Sequence, residues 1–150
     1  LLIHWPNPQQ DKYVQTFRTM LALREEGLVR SVGVSNFTPA HVDRLIAETG
    51  ETPAVNQVEL HPQYQQEALR AHHHDKRILV QAWSPLGRKT DILDHEWLAE
   101  IAGQVNRTPA QVILRWEIQS AVLPIPPPVT AATVPWPSTL PPSSATDVWA

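Results

Sequence analysis

The sequence predicts an α/β fold that forms part of a (β/α)8 TIM barrel, with about five strand–helix units. Short apolar runs alternate five times with segments of helical periodicity, which is typical of a parallel sheet covered by helices. Four of these runs end in polar or aromatic residues followed by a breaker, as strands of β/α barrels do where they carry functional groups. The chain has 150 residues, whereas a complete barrel needs roughly 250, so we expect only part of one.

The first two helices are marked by apolar spacing and by residues typical of helix ends. The first is predicted over residues 10–26 with Gly27 as its stop, and its buried face is formed by Val14, Phe17, Leu21 and Leu28. The second begins at Thr38-Pro39, a capping hydroxyl followed by a proline at the first helical position, and ends at Gly50. Its inner face is formed by Val42, Leu45 and Ile46.

Three further helices and five strands complete the predicted pattern. The third and weakest helix covers residues 65–76, and the fourth is marked by Trp97, Leu98, Ile101 and Val105. A capping box from Thr108 to Gln111 opens the fifth helix. The strands are expected between the helices, at residues 1–5, 30–35, 54–60, 78–83 and 121–125.

Residues 1–125 are expected to form one partial barrel, and residues 126–150 to form a tail. Beyond residue 120 lie eight of the fifteen prolines and a single charged residue, Asp147. Prolines at this density argue against a membrane-spanning helix and favour a disordered or polyproline-like segment rich in Pro, Ser and Thr.

Composition excludes several classes of partner. The net charge of −3, without a block of like charges, gives no electrostatic reason to expect nucleic acid or an acidic membrane. The sequence has no cysteine, which excludes disulfides and thiolate chemistry and agrees with a cytoplasmic location. It begins without an initiating Met and without the pattern of a signal peptide, so we expect a piece of a longer protein.

Residues at the predicted strand ends are candidates for binding and catalysis. His4 could donate a hydrogen bond to a carbonyl oxygen and stabilise a developing alkoxide, although a histidine bonded to the backbone is an alternative. Side chains suited to a primary carboxamide such as that of nicotinamide, with turn chemistry as the alternative, are Ser35, Asn36 and Gln57. Trp83 offers a flat face for a nicotinamide or adenine ring, with core packing as the alternative.

Three other groups of residues indicate a binding or catalytic site less clearly. The segment from Ser84 to Arg88 contains Pro and Gly and could lie over a pyrophosphate, although neither common phosphate fingerprint is present. The triplet His72-His73-His74 is predicted to be a solvated helix surface and not a metal site, because successive helical residues point about a hundred degrees apart. A Ser-His-Asp nucleophile is disfavoured because no Gly-x-Ser-x-Gly elbow occurs.

Four motifs in one order resemble the aldo-keto reductases, which are NADPH-linked carbonyl reductases, and especially their bacterial diketogluconate-reductase branch. The motifs are Leu2–Pro6, Val34–Phe37, Val55–Pro62 and Ala82–Gly87. The resemblance covers about residues 1–125. It implies a cytoplasmic oxidoreductase that uses NADPH to reduce an aldehyde or ketone to an alcohol, with a small carbonyl compound as substrate and no nucleic acid, membrane or metal.

The resemblance also implies roles for individual residues. His4 matches the histidine of the catalytic tetrad, which orients and polarises the substrate carbonyl, and Trp5 lies where the family lines its substrate pocket. The nicotinamide carboxamide is held by residues that match Ser35, Asn36 and Gln57. Trp83 takes the place of the aromatic residue that stacks on the nicotinamide ring. The loop over the cofactor's pyrophosphate includes Ser84, Leu86 and Arg88.

Two departures from the family pattern lead us to expect an inactive chain. The tetrad's Asp, Tyr and Lys belong to three earlier units of the family, and the tyrosine supplies the general acid there. Tyr13 and Tyr64, at a helix start and in a loop, are not placed to replace it. After Pro126 the family has residues that bind the adenosine 2′-phosphate and adenine, whereas this sequence has Pro127-Pro128, so cofactor binding should be weak.

Two other readings remain open. One is a non-catalytic remnant or interaction module, in which unpaired edges at residues 1–5 and 121–125 recruit a second polypeptide. Such edges would make the chain alone marginally stable and prone to aggregate. A different barrel enzyme is less favoured because it would have to reproduce all four motifs in order.

The abrupt change to Pro-, Ser- and Thr-rich sequence after Pro126 is what a reading-frame shift would produce. We therefore predict that DNA sequencing of the locus finds a segment upstream of Leu1 that encodes the tetrad's Asp, Tyr and Lys. It should also find a corrected frame after Pro126. An intact frame through Ala150 without family sequence upstream would contradict this interpretation.

Overall fold

The computed structural model describes residues 1–126, and the tail predicted beyond them lies outside the described residues. Five parallel strands form one sheet in the order β1-β2-β3-β4-β5. Their bounds are Leu2–Ile3 for β1, Gly33–Ser35 for β2, Val55–Glu59 for β3, Leu79–Trp83 for β4 and Val122–Ile125 for β5. Each strand therefore pairs with its neighbour in sequence, and the predicted parallel α/β arrangement is confirmed.

Five α-helices connect the strands. Their bounds are Tyr13–Glu25 for α1, Pro39–Thr49 for α2, Glu67–Asp75 for α3, Glu96–Gln104 for α4 and Pro109–Gln119 for α5. The hydroxyls of Thr38 and Thr108 accept the N3 backbone N–H groups of α2 and α5 at 3.4 and 3.3 Å, so both predicted caps are confirmed. None of the helices within residues 1–126 is long and apolar enough to cross a membrane.

The prediction for the first helix was wrong for its start and for Leu28, whereas Gly27 follows its last turn as predicted. Pro8–Gln10 forms a separate 3-10 turn, so α1 begins only at Tyr13. Leu28, expected on the buried face, is 68% exposed. Leu28 lies beyond this stop, because α1 ends at Glu25 and Gly27 takes a left-handed conformation, with φ of 75°, so Leu28 no longer follows the face of the helix.

The interpretation of the histidine triplet as a solvated surface was wrong for its middle residue. His73 is fully buried, whereas the His74 side chain is 88% exposed. Because His73 lies four residues after the buried Leu69, both occupy the inner face of α3. Burial, reinforced by the neighbouring His72, lowers the pKa of His73 to about 4. No three His, Cys, Asp or Glu side chains within residues 1–126 are grouped to hold a metal ion.

Alternate residues of the strands face opposite sides of the sheet. One row in register across β2 to β5 is buried on the helix-covered face and consists of Val34, Asn56, Val80 and Val122. The next row lies on the opposite face, which a closed barrel turns inward, and consists of Ser35, Gln57, Gln81 and Leu123. Leu123 is 46% exposed there, and β1 and β5 form the two edges of the described sheet.

Glu117 of α5 is an ionisable residue in the core. It is fully buried, and neither carboxyl oxygen has a hydrogen-bond partner among the described residues. Burial raises the pKa of this carboxyl to about 8, so the folded chain holds Glu117 in its neutral form at pH 7.

Replacing Glu117 by Gln should change how stability depends on pH. A carboxyl whose pKa rises on folding contributes stability at low pH that is lost as pH climbs towards the folded-state value. From pH 4.5 to 8, the stability gained by Glu117→Gln should therefore grow by about 1.4 kcal/mol per pH unit. Urea denaturation at several pH values measures this slope. Glu100→Gln, at an exposed position of α4, is the control. Equal slopes for both variants would contradict the raised pKa of Glu117.

Candidate active site

Polar side chains from neighbouring strands meet at the carboxyl edge of the sheet. The strand register places Ser35 beside Gln57 and Gln57 beside Gln81. Asn36 directly follows β2, and Trp83 is the last residue of β4. Because carboxyl ends of parallel strands lie on one side of a sheet, these five side chains form one cluster, called here the edge network.

Asn36 is the centre of the edge network. Its side-chain Nδ2 donates to the backbone carbonyl of His4 and to Ser35 Oγ, both at 3.1 Å. Its Oδ1 accepts the indole N–H of Trp83 at 2.9 Å. Asn36 holds a left-handed backbone conformation with φ of 61°, which asparagine tolerates better than most residues. One side chain thus connects the ends of β1, β2 and β4.

A second line of hydrogen bonds crosses the inward face of the sheet. Ser35 Oγ donates to the backbone carbonyl of Gln57 at 2.8 Å, and Gln57 Nε2 donates to Gln81 Oε1 at 2.7 Å. Gln81 was missed from the sequence. Its position two residues before Trp83 was the available signal, because alternate residues of a strand share a face.

The edge network retains acceptor capacity for a ligand. Gln57 Oε1 forms no hydrogen bond with the described residues, and Asn36 Oδ1 has a second lone pair besides the one used by Trp83. Both oxygens can accept from the amino group of a primary carboxamide. Ser35 already donates its hydroxyl proton, so it orients Asn36 and Gln57. The predicted contacts of these residues with a cofactor stay predictions.

His4 and Trp5 lie just beyond β1, which is shorter than the predicted strand of residues 1–5. The strand stops at Ile3 because the His4 carbonyl bonds the Asn36 side chain and not a neighbouring backbone N–H. Both rings are exposed and lie edge to face, with centroids 6.0 Å apart. The imidazole is therefore accessible from the same edge as the network. The catalytic role of His4 and the pocket role of Trp5 stay predictions.

The loop after β4 has a fixed backbone and an exposed cationic side chain. Ser84 Oγ accepts the backbone N–H of Arg88 at 3.1 Å, and the Gly87 carbonyl accepts the Thr90 hydroxyl at 2.7 Å. The Leu86 side chain packs against a core cluster, so a ligand would meet its backbone. Arg88 is exposed. The exposed guanidinium can pair with an anion, and the role of the loop in cofactor binding stays a prediction.

The family model for the aldo/keto reductase family matches residues 1–139 of the chain. The chain belongs to the aldo/keto reductase family. It is 53% identical over 125 residues to 2,5-diketo-D-gluconic acid reductase B of a Corynebacterium strain, covering 83% of this chain and 45% of that relative. It is 46% identical over 134 residues to the methylglyoxal reductase DkgA of Yersinia pestis, covering 89% of this chain and 48% of that protein.

Solved aldo-keto reductase structures share the fold. An aldo/keto reductase from Brucella melitensis superposes with a TM-score of 0.82 at 47% identity, over 87% of this chain and 50% of that one. A Gox0644 mutant in complex with NADPH superposes with a TM-score of 0.84 at 44% identity, over 87% of this chain and 48% of that one. These likenesses confirm the predicted family and partial-barrel fold. The chain spans about half the length of the curated relatives it matches.

Substitution of Gly87 tests whether the loop after β4 depends on its backbone conformation. Gly87 has φ of 65°, and an added Cβ would overlap the side chains of Thr90 and Ile92. Gly87→Ala should therefore destabilise the chain by about 1–3 kcal/mol in urea denaturation. Gly103→Ala in α4 is the matched control. Open space surrounds Gly103, so its replacement should be neutral or stabilise by up to about 1 kcal/mol. Equal effects of both substitutions would contradict the constraint.

Proposed function

We propose that residues 1–125 supply the carboxyl-terminal half of an NADPH-dependent reductase that converts an aldehyde or ketone to an alcohol. The edge network carries this proposal, because it presents preoriented amide oxygens beside an accessible histidine and an aromatic ring. The reductase names of two relatives and the NADPH in a structure 44% identical support the same substrate class and cofactor. The lack of cysteine supports a cytoplasmic location.

The side chains have distinct roles in the proposed site. His4 donates a hydrogen bond to the substrate carbonyl oxygen and stabilises the negative charge that develops there. Bound NADPH supplies the hydride. Asn36 and Gln57 accept the amino hydrogens of the nicotinamide carboxamide, which fixes the face of the ring. Trp83 stacks on that ring, and its N–H bond to Asn36 holds the indole in one orientation.

Two further regions complete the proposed site. Trp5 bounds the substrate pocket beside His4. The loop of Ser84, Leu86 and Arg88 covers the pyrophosphate, where the guanidinium of Arg88 neutralises phosphate charge. Protonation of the product alkoxide requires the Tyr of the family's tetrad, assisted by Lys and Asp. We propose that the 150-residue chain alone gives no turnover and binds the cofactor weakly at best.

A second candidate function is an interaction module, in which the strands of a second polypeptide complete the half-barrel. The observation that favours it is the apolar surface left on the inward face, where Leu79, Leu123 and Ile125 are 41%, 46% and 41% exposed. The edges β1 and β5 offer backbone groups for pairing with such a partner. Carbonyl reduction by a barrel that contains residues 1–125 together with the family's missing units separates the two candidates, because an interaction module gives no turnover there.

A chimera tests the proposed function. Residues 1–125 of this chain would replace the matching 45% of the Corynebacterium relative, and oxidation of NADPH would be followed with 2,5-diketo-D-gluconic acid. We expect carbonyl-dependent turnover. His4→Gln should lower kcat by at least about 100-fold, while His74→Gln, at an exposed position of α3, should leave it unchanged. A chimera that melts cooperatively but shows no turnover would contradict the proposal and favour the interaction module.

A further inference from the structure

Phe37 lies where the backbone leaves the sheet, immediately after Ser35 and Asn36. β2 ends at Ser35, so Phe37 has no ladder partner, although its side chain is 1% exposed. The side chain of Asn56 supplies both missing bonds. Its Nδ2 donates to the Phe37 carbonyl at 2.8 Å, and its Oδ1 accepts the Phe37 N–H at 3.4 Å. This accounts for an asparagine in the buried row that is otherwise valine.

The second amide hydrogen of Asn56 points to His73. Asn56 Nδ2 lies 2.8 Å from His73 Nε2, and both residues are fully buried. An asparagine amino group carries two hydrogens, and the other is donated to the Phe37 carbonyl. His73 Nε2 must therefore accept, which places the ring proton on Nδ1. Because an unpaired N–H is costly at this buried position, His73 stabilises the orientation of the Asn56 amide in which both Phe37 backbone groups are bonded.

We propose that His73 is a positioning residue for the nicotinamide-binding edge, acting through Asn56 and the Phe37 backbone on Asn36. The connection crosses the sheet, since Asn56 lies on the helix-covered face and the edge network on the other. Phe37 is bonded to Asn36 directly, and Asn36 in turn bonds His4 and Trp83. That this edge binds nicotinamide rests on the proposed function. The coupling between His73 and Asn36 does not depend on it.

The charged groups around His73 leave the ring neutral near pH 7. On α3, His72 Nδ1 lies 3.1 Å from His73 Nδ1, and the Leu69 backbone bonds the same ring. From α2, Asp43 pairs with His72 at 2.9 Å and with Lys76 at 3.1 Å. β3 presents the uncharged amide of Asn56. Burial keeps the pKa of His73 near 4, so the acceptor on Nε2 persists above that pH.

The first measurement uses the native chain. Nitrogen-15 NMR of the full 150-residue protein at pH 7 should find His73 neutral, with its proton on Nδ1 and an unprotonated Nε2. Protonation of His73 near pH 4 should move the signals of the Asn36 side-chain amide and the Trp83 indole N–H in parallel. A ring proton on Nε2 at pH 7 would overturn the proposal, because Asn56 could not then donate to that atom.

Two variants of His73 test the same coupling. His73→Leu removes the acceptor, and His73→Gln restores one on Oε1. In the Leu variant we expect exchange of the Phe37 backbone amide at least about tenfold faster than in the native chain, and shifted Asn36 and Trp83 signals. In the Gln variant and in the exposed control His74→Leu, the Phe37 amide exchange rate and the Asn36 and Trp83 signals should stay close to those of the native protein.

The outcomes separate coupling from simple stability. If His73→Leu alters only α3, Asn56 and Phe37, and leaves the Asn36 and Trp83 signals unchanged, the positioning role is overturned. If that variant does not fold, the native chain provides the test: a ring proton on Nδ1 of His73, with parallel shifts of the Asn36 and Trp83 signals near pH 4, supports the positioning role, and a ring proton on Nε2 overturns it. None of these signals requires NADPH, so failure of the chimera would reject the proposed function without touching the coupling. In an active chimera, His73→Leu should raise the KM for NADPH about tenfold and His73→Gln should not.

Discussion

The end of β2 imposes the constraint on which the rest of the site depends. Beyond the end of β2 at Ser35, the Asn36 N–H still bonds the Gln57 carbonyl of β3, but the buried backbone of Phe37 has no strand partner, and a side-chain amide bonds it instead. Asn56 bonds both backbone groups of Phe37 from the helix-covered face. On the other face, Asn36 bonds the His4 carbonyl and the Trp83 indole. The groups proposed to bind a cofactor are therefore also the groups that join the strand ends, and they are preoriented by the fold.

The buried polar groups of this half-barrel differ in how well they are satisfied. Asn56 and His73 satisfy each other and the Phe37 backbone, so their burial fixes one local arrangement. Glu117 is equally buried, yet its carboxyl oxygens have no hydrogen-bond partner among the described residues, and the group stays neutral. The first arrangement gives local specificity, whereas the second lowers the free energy of unfolding as pH rises.

Periodicity and helix caps were sufficient to predict the order of strands and helices, because those signals are local. Thr38 and Thr108 cap their helices as the sequence indicated, and the clustering of Ser35, Asn36, Gln57 and Trp83 followed from parallel strands. The hydrogen bonds that His73 and Gln81 make depend on partners distant in sequence, Asn56 and Gln57, which no local pattern reveals. The face on which each residue lies could have been predicted from spacing alone, since His73 follows Leu69 by four residues on α3 and Gln81 precedes Trp83 by two on β4.

We propose that the edge network is a preformed site for a nicotinamide carboxamide. A crystal structure of the active chimera with NADP⁺ bound tests it most directly. We expect the carboxamide nitrogen to lie within about 3.2 Å of Gln57 Oε1 and Asn36 Oδ1, the nicotinamide ring to stack on Trp83, and the bond from Asn36 to His4 to be unchanged. A carboxamide bound elsewhere, or an Asn36 side chain that turns away from His4 and Trp83 to reach it, would contradict the claim.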